Sequence, residues 1–238
     1  MRNISLVVVA CSLLIGCSKK ENEGNLQVTG QVKGLRMGTL YIQKIQDTAF
    51  VLLDSIAVSG DATFSSNLTI DSPEMLYLFI DRGQTKTIDN NLMFFAEPGK
   101  INIDTNLEKF YASAKIKGSK NHDLYEEYKK VKSRFIGQEL DLTEKRIVAI
   151  RSKQPFSETD NQAQLDAIIK KRYLYAINFA INNKDREIAP YIALAEINDA
   201  NVAFLDTIYK SLTPKVASSK YGVMLQKYVI ERKTSEGK

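Results

Sequence analysis

Residues 116–128 read IKGSKNHDLYEEY, and within this stretch the spacing of apolar residues changes from that of a strand to that of a helix. Before Gly118, apolar and polar residues alternate in short runs separated by Gly, Pro, Asp or Asn, which is typical of half-buried strands. After Gly118, the apolar residues follow the stripe of an amphipathic helix. This stripe contains Leu124, Tyr128, Val131, Phe135 and Leu142. The sequence therefore predicts an α+β chain, with an N-terminal antiparallel β-sandwich or barrel at 26–118 and a helical region at 119–232.

The β-rich half contains seven or eight runs with strand character. Turn residues separate these runs, for example at Ser59-Gly60-Asp61 and at Glu97-Pro98-Gly99-Lys100. Short strands at this spacing favour a sandwich or barrel. The polar segment from Asp81 to Asn91 is predicted to be a mobile hairpin loop.

The helical half carries its own start and stop signals. Pro155 ends the first long helix, and Ser157-Glu158-Thr159-Asp160 resembles a capping box that opens the second. Asp199 is a possible cap for a later helix, and Thr213-Pro214 places a proline at a first helical position. The residues at 233–238 are polar and are expected to form a frayed tail.

The N-terminal segment at 1–17 carries Arg2 and then an apolar stretch, and it ends in the motif Leu14-Ile15-Gly16-Cys17. This pattern is typical of a lipoprotein signal peptide at 1–17 that is cleaved before Cys17, the residue that is then lipidated. A transmembrane anchor needs about 20 apolar residues, and the apolar run here is shorter. An uncleaved secretory signal fits less well, because the small Gly16 directly before Cys17 suits a lipoprotein signal peptidase.

A lipidated Cys17 places the protein in the bacterial cell envelope. Two or three acyl chains are enough for stable membrane anchoring. Ser18 in place of an aspartate favours the outer membrane in Gram-negative sorting, and 18–25 is expected to be a flexible polar tether.

The composition excludes several chemistries for the mature chain. Cys11 leaves with the signal peptide and Cys17 is acylated, so neither a disulfide nor a redox dithiol is expected. One histidine, His122, leaves no cluster with metal-ligand spacing, and we interpret it as a polar residue near a helix start. The formal charge of +5 is scattered rather than clustered, which argues against nucleic acid as a partner. We therefore predict no cofactor, no metal site and no catalytic residue.

Three stretches resemble a known family. They are Asp54-Ser55-Ile56-Ala57-Val58 with Gly60 and Phe64, the run from Phe94 to Ile103, and the run from Ile116 to Asn121. They are similar to the N-terminal region of TlpA/ResA-like thiol:disulfide interchange lipoproteins, in which a β-rich domain of unknown function and a helical segment precede a thioredoxin-like domain. Residues 188–229 also fit that helical segment.

The chain departs from that family where its chemistry resides. The sequence ends at Lys238 and has no Cys-x-x-Cys pair, whereas thiol exchange needs an attacking thiolate and, in that fold, a second cysteine. The resemblance therefore implies an architecture and a possible thioredoxin-like partner, but not the family's activity.

Three functions remain open from the sequence. The first is a non-catalytic envelope lipoprotein that serves as a binding or scaffolding module, for example for a thioredoxin-like partner. The second is capture of a carbohydrate or another small ligand on aromatic residues of the strands. The third is an enzyme that uses an acid such as Glu97 or Asp54, although a carboxylate at a turn is usually a turn-capping group. The oligomeric state is also open, and a coiled-coil dimer of the helical half is one alternative. The aromatic candidates are Tyr41, Tyr77, Phe79, Phe94 and Phe95.

Overall fold

The computed structural model describes residues 24–81 and 90–237. Within these residues the chain forms eight strands followed by six helices. The strands are β1 (Leu26–Lys33), β2 (Met37–Gln46), β3 (Ala49–Ser59), β4 (Thr63–Leu68), β5 (Glu74–Asp81), β6 (Asn91–Ala96), β7 (Gly99–Asn106) and β8 (Lys115–Lys117). The helices are α1 (Lys120–Ser152), α2 (Glu158–Asn182), α3 (Ile188–Glu196), α4 (Val202–Ser211), α5 (Pro214–Ala217) and α6 (Lys220–Ser235).

The strands form two four-stranded sheets that pack face to face. One sheet has the order β4-β1-β7-β8 and the other has the order β3-β2-β5-β6. Alternate residues of both sheets point into a single buried cluster, because successive side chains of a strand lie on opposite faces. Representative members of this cluster are Leu26, Val28, Leu40, Ile42, Leu78, Phe94 and Ile103. The predicted α+β class is confirmed, and the two separate sheets make the β-rich part a sandwich rather than a barrel.

One strand pair is parallel, which corrects the expectation of an antiparallel sandwich. Strand β1 runs parallel to β7 from the pair Leu26 and Gly99 to the pair Lys33 and Asn106. The other strand pairs of the described residues are antiparallel. Alternation in a sequence shows which side of a strand is buried, but it carries no information about the direction of the partner strand.

Strands β5 and β6 are covered on both faces. Leu76 and Phe94 point into the sandwich. On the opposite side of the sheet, Met75 and Phe95 belong to a second buried cluster that is otherwise formed by the helices. This double burial explains why the sequences of these strands are almost continuously apolar rather than alternating.

The change from strand to helix depends on Gly118. Its φ of +98° lies in the region that favours glycine, and an added Cβ would lie 2.0 Å from the carbonyl oxygen of Lys100. The next residue, Ser119, accepts a hydrogen bond from the backbone N–H of His122 at 3.0 Å and caps α1. The turn at Gly118 therefore lies directly against β7, immediately before α1 begins.

Helices α1 and α2 form a long antiparallel pair that is only partly embedded in the helical core. Leu124, Tyr125 and Tyr128 of α1 belong to that core. Further along α1, the buried residues are Leu142 and Ala149, and they lie outside the core. Ser157 caps α2 by accepting from the backbone N–H of Asp160 at 3.2 Å, which confirms the predicted helix start. We call the outer part of the pair, residues 136–172, the helical arm.

The later helices differ in detail from the expectation. Helix α4 is capped by Asn201, which accepts from the N–H of Ala203 at 3.0 Å. Asp199, the expected cap, instead accepts a hydrogen bond from the hydroxyl of Tyr173 at 2.7 Å. The prediction was wrong here because Asp and Asn are equivalent as cap signals.

The last helix begins and ends later than expected. The proline signal opens only the short α5, and α6 starts after Ser219, which accepts from the N–H of Gly222 at 3.3 Å. Helix α6 then continues to Ser235, so the residues expected to fray from 233 onward are helical as far as Ser235. Arg232 donates to the carbonyl oxygen of Asn198 at 2.7 Å, and this bond fixes the last turns of α6.

Some predicted features lie outside the described residues. These are the signal peptide with Cys17, residues 18–23 of the tether, and residues 82–89 of the predicted hairpin loop. Among the helices of the described residues, none has the length and hydrophobicity needed to cross a membrane.

Candidate binding surface

Cys17, the one site residue that we predicted from a motif, lies outside the described residues. Its lipidation therefore stays a prediction.

His122 is a buried link between α1 and β6. The backbone N–H of Phe95 donates to His122 Nδ1 at 3.3 Å, which leaves Nε2 as the protonated nitrogen, 3.4 Å from a carboxylate oxygen of Glu126. Desolvation lowers the pKa of His122. The negative charges of Glu126 and Asp123 oppose this shift, and the positive charge of Lys129 adds to it. The imidazole is therefore neutral, and its acceptor nitrogen is occupied by the backbone.

Glu97, the acid considered for catalysis, holds the start of α1. Its carboxylate accepts from the backbone N–H of Lys120 at 2.6 Å and from the side-chain amide of Asn121 at 2.7 Å. A carboxylate at a helix N-terminus satisfies free N–H groups and complements the helix dipole. This geometry gives Glu97 a structural task.

The side chain of Asn121 connects three parts of the chain. Its amide nitrogen donates to Glu97 and also to Glu187 at 2.9 Å, while its oxygen accepts from the backbone N–H of Ile188 at 3.0 Å. Asn121 and Glu187 are both buried. Sequence reasoning missed this junction, because an asparagine in the first turn of a helix and a glutamate before another helix are common and show no pattern.

Asp54 also has a structural role. It lies on the edge strand β3, and one of its carboxylate oxygens accepts from the hydroxyl of Ser66 on β4 at 2.5 Å. The other oxygen accepts from the N–H of Ser55 at 2.8 Å. The bond to Ser66 connects neighbouring edges of the two sheets.

The aromatic residues considered as stacking platforms divide into two groups. Phe94 and Phe95 are fully buried and cannot offer a face to a ligand. Tyr41 and Phe79 are half-buried on the outer face of the second sheet, where their rings stack with a centroid distance of 6.2 Å. Tyr77 lies on the same face, and its ring meets the edge of Phe50 at 5.1 Å.

A groove of about 790 Å³ runs between this outer sheet face and helices α3 and α6. The sheet contributes Ile45, Met75 and Tyr77 to its lining. Helix α3 contributes Tyr191 and Leu194. Helix α6 contributes Tyr221, Met224 and Tyr228.

The tyrosines of the groove are held firmly. The hydroxyl of Tyr221 accepts from the backbone N–H of Met75 at 2.9 Å, and the rings of Tyr191 and Tyr221 meet at 5.1 Å. Burial raises the pKa of Tyr77, Tyr191 and Tyr221, so these hydroxyls stay neutral. Rigid aromatic side chains with a polar end supply contact area at low entropic cost.

The groove continues into an exposed apolar area at the tip of the β2–β3 hairpin. Ile45 lies opposite Phe50 in the strand register, and Phe50 packs on Tyr77. Phe50 and Leu52 are each 52% exposed, and Met224 on the other wall is 47% exposed. We call the groove together with Ile45, Phe50 and Leu52 the hairpin–groove surface.

The charged residues of this surface are mostly balanced. Lys220 forms a salt bridge with the buried Glu74, and Lys227 lies 3.9 Å from Glu231. Lys44, Asp47 and Asp71 also line the groove, so both signs are present. Across residues 24–81 and 90–237, no three His, Cys, Asp or Glu side chains converge as metal ligands would.

Comparison with known protein families gives a match over the β-rich part of the chain. Residues 26–125 match the model of DUF4369, a domain of unknown function. No curated protein matches the chain. The DUF4369 region contains the whole sandwich and the first residues of α1, including Glu97, Asn121 and His122. It supplies the sheet wall of the groove, whereas α3 and α6 lie outside it.

Proposed function

We propose that the protein is a non-catalytic binding module of the bacterial cell envelope that holds a protein partner on its hairpin–groove surface. The observation that carries this proposal is the continuity of exposed apolar side chains with a groove of fixed tyrosines. Contiguous exposed apolar area is uncommon on monomeric proteins and marks interaction sites.

The residue types of this surface favour a protein as the partner. Interfaces between proteins are enriched in Tyr, Phe and Met at their centre. Here Tyr77 and Met224 line the groove, which lysines and acids also border, and Phe50 packs on Tyr77. A rim of this kind surrounds the centre with polar groups, as in many specific interfaces.

The fixed roles of the ionisable candidates support a function without catalysis. His122 Nδ1 accepts a backbone hydrogen bond, and Glu97 caps a helix. An acid or base of an enzyme must instead be within reach of a substrate proton. We therefore assign no catalytic residue and expect no cofactor.

The envelope location rests on the sequence. A lipidated Cys17 would hold the protein at a membrane, and Ser18 favours the outer membrane. A tether at 18–25 would separate the sandwich, which begins at Leu26, from that membrane.

A thioredoxin-like protein is the partner class that we propose. The stretches that resemble TlpA/ResA-like lipoproteins fall on β3 and the start of β4, on β6 and β7, and on β8 with the turn into α1. In that family the thioredoxin-like domain follows the helical segment. Helix α6, the last helix described here, lines the groove, so a thioredoxin-like unit placed beyond α6 would start beside this surface.

Photo-cross-linking in envelope preparations tests both parts of this proposal. A benzophenone amino acid at position 50 should give one specific adduct, whereas the same probe at position 230, an exposed apolar site elsewhere on α6, should not. Mass spectrometry of the adduct identifies the partner. Equal labelling from both positions, or no adduct from position 50, would remove the proposed surface. A partner of another fold would retain the binding function and remove the thioredoxin-like class.

Carbohydrate capture is a second candidate, favoured by the half-buried stack of Tyr41 and Phe79. Sugar rings pack on aromatic faces of this kind. Calorimetric titration with soluble peptidoglycan fragments and neutral oligosaccharides tests it. Heat that disappears in Tyr41→Ala and persists in Phe50→Asp would favour this candidate, and absence of heat across the panel would eliminate it.

A further inference from the structure

A second cleft, separate from the hairpin–groove surface, opens at the opposite edge of the second sheet. It has a volume of about 760 Å³ and lies where the edge strands β6 and β8 face α1. Five lysines line it, and the acidic residue in its lining is Glu126. The lysines are Lys115, Lys117, Lys129, Lys130 and Lys132. We call it the lysine cleft.

Two of the five lysines are already paired. Lys129 bonds to Glu126 at 2.6 Å, and Lys132 bonds to Glu196 at 2.6 Å. Within the described part of the chain, Lys115, Lys117 and Lys130 form no salt bridge. Lys115 lies opposite Asp104 in the strand register, so Lys117 and Lys130 carry the least compensated charge.

The rest of the cleft wall is apolar or neutral. Met93, Tyr111, Ile116 and Ile136 are among its lining residues. His122 also lines the cleft, and its Nδ1 is occupied by the N–H of Phe95, so the imidazole presents its Nε2 side toward Glu126. The three unpaired lysines are exposed residues that stand beside this partly apolar wall.

We propose that the lysine cleft binds a phosphate group. Lysine binds phosphate as a point charge, and two or more ammonium groups around one depression match a multiply charged, compact anion. The apolar wall accommodates the organic part of a phosphate ester. The phosphate belongs either to a soluble ester or to a lipid headgroup, and the same cationic side chains serve both.

His122 supplies a reporter for this test, because the chain has one histidine and its ring lines the cleft. The mature chain without its lipid is titrated with inorganic phosphate and with glycerol 1-phosphate, and the imidazole NMR signals are followed. A parallel sedimentation assay uses vesicles of phosphatidylcholine with and without phosphatidylglycerol. The test variant is Lys117→Glu with Lys130→Glu, and the matched control is Lys145→Glu with Lys170→Glu on the helical arm.

We expect saturable shifts of the His122 signals. The dissociation constant for phosphate should rise about tenfold or more in the test variant and stay unchanged in the control, since reversing two nearby charges removes about 1.4 kcal/mol or more of attraction. Binding of the soluble phosphates identifies a soluble ester as the source. Binding to phosphatidylglycerol vesicles alone, with the same dependence on Lys117 and Lys130, identifies a lipid headgroup. Absence of both, or equal losses in the test and control variants, would overturn the proposal.

Discussion

At the scale of single residues, polar side chains hold the sandwich and the helices together. Asn121 is the clearest example, since it bonds to Glu97 after β6, to Glu187 before α3 and to the backbone of Ile188. Each of its side-chain hydrogen-bonding groups has a partner, and buried polar groups are stabilising only when they are satisfied in this way.

Asn121→Ala is expected to lower the free energy of unfolding by about 3 kcal/mol, because the buried Glu187 and the N–H of Ile188 lose their partner. Urea denaturation measures this change. Asn182→Ala, at an exposed position near the end of α2, is the control and should remain within about 0.5 kcal/mol of the native protein. Equal stability of the Asn121 variant and the control would show that the junction does not contribute.

His122 should make stability depend on pH. Its folded-state pKa is lowered, first by desolvation, from the ordinary value of 6.5. The unfolded chain therefore binds the proton more readily between the folded pKa and 6.5, and stability falls as the pH drops through that window. Denaturation of the native protein and of His122→Gln on both sides of 6.5 measures the effect. The variant should show a smaller loss on acidification, and parallel losses would contradict the assignment.

At the scale of elements, the helical arm is the part least supported by the rest of the molecule. Helix α1 has 33 residues and is about 50 Å long, and past Tyr128 its buried residues are Leu142 and Ala149. Side-chain bonds across the pair add support, including Arg172 to Glu139 at 2.8 Å and Asn161 to the carbonyl oxygen of Leu142 at 3.2 Å. Local opening is expected where buried contacts are few.

Leu142→Ala is expected to lower the free energy of local unfolding of the arm by about 2 kcal/mol. This is the low end of the range for a buried leucine, because the site is peripheral. Native-state hydrogen exchange should show faster exchange for amides at 136–172, with β5 and β6 unaffected. Leu140→Ala, at a position 63% exposed on the same helix, provides the matched control and should leave exchange unchanged. Faster exchange throughout the protein would show that the arm is not a separate unit of stability.

The predictability of these elements follows from what a local pattern can encode. The strands, the switch at Gly118 and the capping signal of Ser157 were predictable because alternation, glycine and serine act within a few residues. The parallel pairing of β1 and β7 could not be predicted from a local pattern, since it joins segments far apart in the chain. The tyrosine groove escaped prediction for the same reason, because Tyr77 meets Tyr191 and Tyr221 only after the helices fold onto the sheet.

At the scale of the whole molecule, the sandwich and the helices share one buried boundary. Phe95 is fully buried among helical residues, and its ring meets Tyr191 at 5.6 Å and Tyr221 at 5.9 Å. Met75 belongs to the same cluster, and its N–H bonds to the hydroxyl of Tyr221. The outer face of the second sheet around Met75 and Phe95 is therefore part of the helical core.

Phe95→Ala should destabilise both halves together, by about 4 kcal/mol. Circular dichroism of the helices and the NMR amide signals of the sandwich strands should give coincident transitions at a lower urea concentration. Phe204→Ala, at a position 45% exposed on α4, should unfold close to the native protein. Separate transitions for the two signals would show that the halves unfold independently.

The parallel pair of β1 and β7 also constrains the order in which the chain can fold. Strand β1 is the central partner of both β4 and β7, yet β7 is made only after the second sheet has been completed. During synthesis the N-terminal strand must therefore wait with one edge open until Gly99–Asn106 has emerged, and such delayed, non-local pairing slows folding and exposes the chain to aggregation. A chaperone that shields the nascent strand would find its substrate in this interval.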